Sequence, residues 1–193
     1  MKTYCIKEGY QHRLDNRYFD DTENTDKWQR EVYTFARDTA VKNNFTKVMD
    51  IGTGSAYKLL DNFRDFDTVG MDVPKTVSWL RETYPDRKWI DQFDPVPGYD
   101  LVIASDVIEH IPDPDLLLDL IEQSAPKLIV LSTPDRDLLG RTPDGPPKNR
   151  AHVREWTQSE FYNYISSRFE VIEHFVSNQK QSTQTMLARL KSK

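Results

Sequence analysis

The sequence predicts a three-layer α/β fold in which helices cover both faces of a seven-stranded, mostly parallel sheet whose last strand is antiparallel. Two patterns carry this prediction. Between residues 47 and 133, apolar runs typical of strands buried on both faces alternate with helical patterns. Near the end of the chain, two strand-like stretches are joined by the short polar segment 178–182, which favours a hairpin over a crossover.

The composition is typical of a single globular domain. The chain has 193 residues, of which 37% are hydrophobic, enough for one domain with a sizeable core. It lacks an apolar run of roughly 18 residues and the apolar core of a signal peptide, so we expect neither a membrane span nor export. The single cysteine, Cys5, excludes an internal disulfide and suits the cytoplasm. A net charge of −5 argues against broad nucleic-acid binding.

The first half of the chain begins with a predicted N-terminal helical cap or lid over residues 1–45. Its helix follows Asp26 as a capping residue and carries Trp28 and Val32 on its apolar face. Further on, Pro74 stands just before a helical pattern, where proline is tolerated. The predicted elements are, in order, helix 27–43, strand 47–51, helix 55–63, strand 68–73, helix 75–84 and strand 88–93.

The second half adds two buried strands, a long loop and the hairpin. The apolar stretch 100–106 predicts a strand buried on both faces, and Asp113 followed by Pro114 predicts the start of a helix. The Pro- and Gly-rich stretch after residue 133 is too long for a simple connector, so we expect a substrate loop over 134–155. The predicted elements are strand 100–106, helix 114–123, strand 127–133 and strands 169–177 and 183–191, all within a catalytic core over 46–193.

A glycine turn links the first predicted strand to the following helix. Gly52 and Gly54 allow positive φ angles and let a ligand approach the backbone closely. A dinucleotide-binding turn needs a small residue three positions after the second glycine, but Tyr57 stands there, which disfavours a nicotinamide-dependent oxidoreductase. Asp50, just before the turn, would repel a pyrophosphate but would suit an ammonium or sulfonium group.

Two further acids follow the next two predicted strands. Asp72 ends the second strand, where a carboxylate can accept hydrogen bonds from both hydroxyls of a ribose. Asp91 ends the third strand, where an adenine could lie. An adenosine with a cationic amino-acid tail and no phosphate describes S-adenosylmethionine.

This order of motifs resembles that of class I S-adenosylmethionine-dependent methyltransferases from about residue 47 to 189, most strongly over 47–133. The resemblance implies one Rossmann-like methyltransferase domain over 1–193, with S-adenosylmethionine as cofactor and S-adenosylhomocysteine as product. The terminal hairpin is also typical of that family. Thr53 and Ala56 depart from its pattern, which often has cysteine and glycine there. The implied cofactor-binding residues are Asp50, Gly52, Thr53, Gly54, Asp72, Val73, Asp91, Gln92, Ser105 and Asp106.

The stretch SDVIEHIP follows the fourth predicted strand. Its Asp106, Glu109 and His110 are spaced so that one helical turn brings them to the same face, at the sheet edge where ligands bind. The simplest interpretation is a polar turn that shapes the cofactor pocket. A hydroxyl acceptor also needs a proton acceptor in its transition state, and His110 or His152 is the candidate catalytic residue for that role.

The same stretch also allows a metal-site interpretation, since two histidines and two carboxylates suit Mg²⁺ or Mn²⁺. The set Asp106, Glu109, His110 and His152 resembles the metal site of small-RNA 3′-terminal 2′-O-methyltransferases, where the metal holds a ribose diol. Asp106 stands where that family has glutamate, and the acidic net charge disfavours an RNA acceptor. We therefore expect a metal-independent enzyme and keep this set as the alternative.

The long loop indicates a class of acceptor. Its segment GPPKNRAHVREW resembles a segment of bacterial methyltransferases associated with glycan and surface-polysaccharide biosynthesis. We expect methyl transfer to an oxygen or nitrogen of a small molecule such as a sugar or glycan. The alternatives are the metal-assisted RNA-end enzyme and a non-catalytic S-adenosylmethionine-binding protein. The basic residues of this region are either a solvated surface or a clamp for a phosphate, a nucleotide-sugar or a carboxylate: Arg136, Arg141, Lys148, Arg150 and Arg154.

Overall fold

A computed structural model describes residues 2–192 and contains a seven-stranded sheet. The strands are β1 (Lys47–Ile51), β2 (Asp67–Met71), β3 (Lys88–Ile90), β4 (Leu101–Ser105), β5 (Leu128–Pro134), β6 (Phe169–Asn178) and β7 (Thr183–Leu190). Their order across the sheet is β3-β2-β1-β4-β5-β7-β6. The first five are parallel, and β7 is antiparallel to both β5 and β6. The predicted fold class and the terminal hairpin are confirmed.

The helices surround the sheet. They are α1 (Arg30–Lys42), α2 (Tyr57–Asn62), α3 (Pro74–Thr83), α4 (Asp115–Ser124), α5 (Arg136–Leu139) and α6 (Gln158–Ser166), with a 3₁₀ turn over Ile108–His110. Within residues 2–192, no helix combines the length and the apolar character that crossing a bilayer requires. The cytoplasmic location stays a prediction.

The first helix begins later than the sequence predicts. Asp26 does not cap α1, because its carboxylate pairs with Arg30 and the residue before the helix is Gln29, in the left-handed conformation at φ 62°. A long-range contact explains this start. The Gln181 side chain, at the turn of the hairpin, donates to the Lys27 carbonyl at 2.7 Å and accepts from the Gln29 amide at 3.1 Å. The hairpin turn therefore holds the chain in a non-helical conformation just before α1.

Helix α6 was not predicted, although the sequence carries a signal for it. The Thr157 side chain accepts a hydrogen bond from the Glu160 amide, and the Glu160 carboxylate accepts one from the Thr157 amide at 2.9 Å. This reciprocal pair is a capping box, which the spacing of a threonine and a glutamate reveals in the sequence. The helix turns the chain from the long loop back to β6.

Two apolar cores lie on opposite faces of the sheet, which makes the fold three-layered. On one face, Leu59 of α2 and Leu80 of α3 pack with Val48 and Ile103. On the other, helices α4 and α6 cover strand residues that include Met49. Adjacent residues of a parallel strand point to opposite faces, so both must be apolar, and this explains the continuous apolar runs in the sequence.

The chain before α1 forms an extended segment, residues 10–29, that we call the strap. Its backbone hydrogen-bonds to the long loop: the Gln11 amide donates to Asp144, the Arg13 amide to Val153 and the Arg17 amide to Arg150, at 2.8, 2.8 and 2.9 Å. Of the predicted N-terminal helical cap, only the α1 residues are helical, and α1 packs against the sheet. The strap and the loop together cover the carboxyl ends of the strands.

A buried ion pair fixes the base of the long loop. Arg136 Nη2 lies 2.8 Å from Glu160 Oε1, and the two side chains are 3% and 11% exposed. Arg136 Nη1 also donates to the Glu155 carbonyl at 2.9 Å, and Glu160 Oε1 accepts from the Lys7 amide at 2.9 Å. The pair thus joins α5, α6 and the N-terminal chain.

We predict that Glu160→Ala destabilises the protein by about 3–5 kcal/mol, because it leaves the buried Arg136 charge unpaired and removes the capping box. Urea unfolding measures the change in the free energy of unfolding. Glu170→Ala is the control, since Glu170 pairs with Arg189 at the surface and its loss should leave the midpoint nearly unchanged. Equal midpoints for the two variants would contradict the proposed role of the pair.

Candidate active site

A cavity of about 1020 Å³ lies at the carboxyl ends of the central strands. The strap, the start of α1, the turns after β1, β2 and β4, the long loop and the hairpin turn all contribute to its wall. Open parallel sheets bind ligands at this edge. Its volume lies at the upper end of the roughly 300–1,000 Å³ that is usual for small-molecule pockets.

The glycine turn between β1 and α2 forms the floor of the cavity. Gly52 and Gly54 have φ angles of 71° and 54°, and a β-carbon on Gly52 would overlap the Val107 side chain. A β-carbon on Gly54 would lie 2.7 Å from Asp21 Oδ2. Close contacts and positive φ angles therefore both require glycine at these positions. The positive φ angles expected at both glycines are observed, while the close approach of a ligand stays a prediction.

Asp72 is bound to the same turn. Its Oδ2 accepts from the Gly54 amide at 2.8 Å and its Oδ1 from the Val73 amide at 2.7 Å. Each oxygen keeps a lone pair, so the carboxylate can still accept hydrogen bonds from a ligand. Burial raises the pKa of Asp72.

Asp50 lies behind the cavity wall at the end of β1. It is 0% exposed, and both of its oxygens accept hydrogen bonds from the Tyr33 hydroxyl, at 3.1 and 2.9 Å. Burial raises the pKa of Asp50 to about 7. Burial and the neighbouring Asp50 charge raise the pKa of Tyr33 well above its usual value. Tyr33 itself lines the cavity, so it connects the buried acid to any ligand there.

The cavity around this turn is rich in carboxylates. Asp21, Asp72 and Asp106 line it, and burial raises the pKa of each. The nearby cation is Lys58, which is 4% exposed and donates to the Thr25 carbonyl at 3.3 Å. Its ammonium group has further donors for a ligand. This end of the cavity, which we call the acidic end, favours a ligand that carries both a cationic group and a carboxylate.

The residues after β3 divide between the cavity and the surface. Asp91 and Phe93 line the cavity, and Asp91 Oδ2 pairs with Arg81 at 2.9 Å. Val73, after β2, lines it as well. Gln92 is exposed and is not among the lining residues. The pair of side chains flanking Gln92 therefore faces the cavity, while Gln92 itself does not.

Asp106 is held rigidly at the end of β4. It has a φ angle of 53°, its Oδ1 accepts from Ser132 Oγ at 2.6 Å and its Oδ2 from Gln29 Nε2 at 3.1 Å. The Ser105 and Ser132 hydroxyls are 2.9 Å apart and link the ends of β4 and β5. Both oxygens of Asp106 are thus engaged by neighbouring residues.

Glu109, His110 and His152 meet on the cavity wall beside Asp106. One ligand atom from each lies within 4.8 Å of the others, and among the described residues Asp106 is outside this group. Glu109 is 0% exposed; its Oε2 accepts from Thr133 Oγ1 at 3.0 Å, and its buried Oε1 has no hydrogen-bond partner. Burial, followed by the Asp106 charge, raises the pKa of Glu109 well above its usual value.

The two imidazoles have different hydrogen bonds. His110 Nδ1 lies 3.0 Å from the Ala151 carbonyl, which places its proton on Nδ1 and leaves Nε2 free as an acceptor. His152 Nδ1 lies 2.8 Å from Glu155 Oε1, and its Nε2 lies 2.8 Å from the Asn149 amide nitrogen. Burial, and then the neighbouring His152, lowers the pKa of His110 to about 4. His110 is therefore neutral at pH 7.

The basic residues of the long loop separate into two groups. Arg136 and Arg154 are buried, and Arg154 donates to the carbonyls of Ile111 and Pro112 at 2.7 and 2.6 Å. Arg141 and Lys148 instead line the cavity. Arg150 is exposed and is not a lining residue.

Several cavity residues were missed from the sequence. The sequence contains signals for Lys58 and Tyr33, since Lys58 follows the glycine turn and Tyr33 lies at helical spacing before Ala36 and Ala40. Asp21 and Asn16 had none, because the strap has no periodic pattern. Asn16 Nδ2 donates to the His110 carbonyl at 3.0 Å and to the Ala151 carbonyl at 3.2 Å, contacts that only the tertiary structure creates.

Comparison with known proteins agrees with this geometry. A family model described as "Methyltransferase domain" matches residues 10–190. The chain therefore belongs to the methyltransferase-domain family and is an enzyme of that class, and the family membership predicted from the motifs is confirmed. No curated protein matches the chain.

Solved structures share the fold at low sequence identity. The methyltransferase domain of bacterial CtHen1 has a TM-score of 0.64 and 21% identity, covering 84% of this chain and 98% of that one. Magnesium protoporphyrin IX methyltransferase from Synechocystis PCC 6803, with bound SAM, has a TM-score of 0.63 and 15% identity, covering 85% of this chain and 79% of that one. The 1,6-didemethyltoxoflavin-N1-methyltransferase from Burkholderia thailandensis, with bound 1,6-didemethyltoxoflavin and S-adenosylhomocysteine, has a TM-score of 0.63 and 17% identity. The alignment covers 86% of this chain and 82% of that one.

We predict that Gly52→Ala destabilises the protein by about 2–4 kcal/mol, from the left-handed backbone and from overlap with Val107. Val107→Ala should relieve the overlap but not the backbone strain. In urea unfolding, the double variant should therefore lose less stability than the sum of the two single variants. Strict additivity would show that Val107 does not restrict this position.

Proposed function

We propose that the protein transfers a methyl group from S-adenosylmethionine to an oxygen or nitrogen of a small-molecule acceptor. The observation that carries this proposal is one cavity with two chemically different parts: the acidic end at the glycine turn, and the histidine pair beside Asp106. Structural neighbours with bound SAM or S-adenosylhomocysteine support the cofactor assignment. A sugar or glycan acceptor is supported by the loop sequence alone.

The acidic end would hold the cofactor. The Asp72 carboxylate would accept hydrogen bonds from the ribose, and Val73 and Phe93 would contact the adenine, near Asp91. The Lys58 ammonium would bind the carboxylate of the methionine part. A second set would surround the methionine part and the reacting group: Tyr33, Asp50, Gly52, Thr53, Gly54, Ser105 and Asp106. Gln92 has no place in this assignment because it is exposed and does not line the cavity.

When bound, S-adenosylmethionine supplies a methyl group on a positively charged sulfur. The chain itself positions the acceptor and excludes water, since strap and loop cover the cavity. His110 Nε2 would accept the proton of an acceptor hydroxyl as that proton becomes strongly acidic. A pKa of about 4 suffices for this late proton transfer. Because Asn149 already occupies His152 Nε2, His152 would orient His110 rather than act as the base.

We predict that S-adenosylhomocysteine binds about tenfold more tightly at pH 8 than at pH 6, because Asp50 titrates at about 7 in the free protein. Asp50 is mostly protonated at pH 6. The ammonium group of the ligand favours the ionised form of Asp50, so binding releases a proton. Binding therefore becomes tighter as the pH rises. Isothermal titration calorimetry measures the affinity at each pH, and its repetition in two buffers of different ionisation enthalpy measures the proton release. Asp50→Asn should remove the pH dependence.

The two failures of this experiment are distinct. Binding of equal strength at both pH values would reject Asp50 as part of the cofactor site but would keep the cofactor. No binding of S-adenosylhomocysteine at either pH would reject the proposed function itself.

A specific observation favours a second candidate function, metal-assisted methyl transfer. Glu109 Oε1 is buried without a partner, next to one nitrogen each of His110 and His152, and two imidazoles with one carboxylate suit a transition-metal cation such as Mn²⁺. A cation there would ionise Glu109 and lower the pKa of an acceptor hydroxyl. Asp106 is not part of this set, because among the described residues only Glu109, His110 and His152 bring ligand atoms within 4.8 Å of one another there.

For this second function, we predict that Mn²⁺ binds at a 1:1 ratio to the protein saturated with S-adenosylhomocysteine, and that His152→Ala abolishes the binding. Calorimetric titration measures both. His174→Ala is the control, because His174 lies in β6 and bonds to Gln184. If Mn²⁺ fails to bind the wild type, or binds both variants alike, the three residues are not a metal site and His110 remains as the proton acceptor.

A further inference from the structure

Three exposed cationic side chains line the cavity on the wall that the strap and the long loop form. They are Arg17 on the strap and Arg141 and Lys148 on the long loop. All three are exposed, and within residues 2–192 their charged groups have no ion pair and no hydrogen bond. We call them the mouth cations.

Four acids near them in the sequence or on the paired segments already have partners. Asp144 pairs with Lys7, and Asp15 lies within ion-pair distance of Arg13 and Arg150, at 3.8 and 3.9 Å. Glu155 is bonded to His152, and Glu160 is bound to Arg136. These four acids are therefore engaged elsewhere, and within residues 2–192 no ion pair neutralises the mouth cations.

The two segments that carry these cations are joined to each other and to the histidine pair. The Arg17 amide donates to the Arg150 carbonyl at 2.9 Å, so Arg17 lies beside the end of the loop that contains Lys148. Asn16, next to Arg17, donates its side-chain amide to the carbonyls of His110 and Ala151. A ligand group bound by the mouth cations would therefore lie on the same wall as His110.

The cavity is electrically polar as a result. Its acidic end carries the carboxylates of Asp21, Asp72 and Asp106, while the mouth cations carry positive charge. An acceptor with an anionic group is repelled by the first and attracted by the second. Such an acceptor would enter with its anion at the mouth and its neutral hydroxyl or amine toward His110 and the methyl donor.

We propose that the acceptor carries a phosphate or pyrophosphate group, which Arg17, Arg141 and Lys148 bind at the cavity mouth. This inference rests on the proposed function, because it assigns the acceptor side of the same cavity. A dianionic phosphate matches three cations better than a singly charged carboxylate, and the two guanidinium groups suit its several oxygens. Because the chain as a whole has a net charge of −5, it would repel a large polyanion. The anion must therefore be small enough to contact only the mouth cations.

The test uses pyrophosphate as the probe and the protein saturated with S-adenosylhomocysteine, at low ionic strength so that exposed charges are not screened. Calorimetric titration should show saturable binding that is at least tenfold weaker in the double variant Arg141→Gln/Lys148→Gln. Arg17→Gln, on the other segment, should weaken it as well. Arg150→Gln is the matched control: it removes a neighbouring exposed charge that does not line the cavity, and it should change the affinity by less than twofold.

Two further titrations define the class of anion. Acetate should bind at least tenfold more weakly than pyrophosphate; equal binding would overturn the assignment to phosphate. A single-stranded oligoribonucleotide that binds much more tightly than pyrophosphate, with the same dependence on Arg141 and Lys148, would overturn the small-molecule acceptor.

Failure of this proposal is separable from failure of the proposed function. Each sample is first titrated with S-adenosylhomocysteine, and unchanged affinity shows that the variants are folded. If the cofactor product binds but pyrophosphate does not bind the wild type, or binds all variants equally, the mouth cations are a solvated surface and the proposal is wrong.

Discussion

The two hydrogen bonds from the Tyr33 hydroxyl to the buried Asp50 carboxylate join α1 to the end of the central strand. A carboxyl group buried there without a partner would cost about 1–3 kcal/mol, so this contact fixes where α1 can lie. The position of α1 in turn places Gln29, whose side chain occupies one oxygen of Asp106. One buried contact therefore organises both the floor of the cavity and the turn after β4.

The central sheet could be predicted from the sequence because its strands are buried on both faces, and a short, continuous apolar run such as 101–104 is typical of such a strand. The start of α1 could not be predicted from the sequence. Gln181 fixes it from a position more than 150 residues away, and no local pattern indicates such a contact. Helix α6 is different, because the capping box of Thr157 and Glu160 is local and the sequence alone contains this signal.

The residues of the candidate site also fall into a group that the sequence predicts and a group that only the tertiary structure reveals. The glycine turn, Asp72 and the Glu109–His110 pair were predicted because they follow strands whose ends must meet at one edge of the sheet. Asp21 and Asn16 come from a segment without periodicity, and only tertiary contacts bring them to the cavity. The five basic residues of the loop look equivalent in the sequence. Burial distinguishes them, since it takes Arg136 and Arg154 into the fold and leaves Arg141 and Lys148 on the cavity wall.

The pairing of the strap with the long loop also has a consequence for biosynthesis. Its partners are distant along the chain, as in the contact between Arg13 and the Pro147 carbonyl, 134 positions apart. During synthesis the strap emerges from the ribosome before the long loop, so its docking surface is still absent when it appears. The strap must therefore stay undocked until the loop has been synthesised, and closure of the cavity belongs to a late stage of folding.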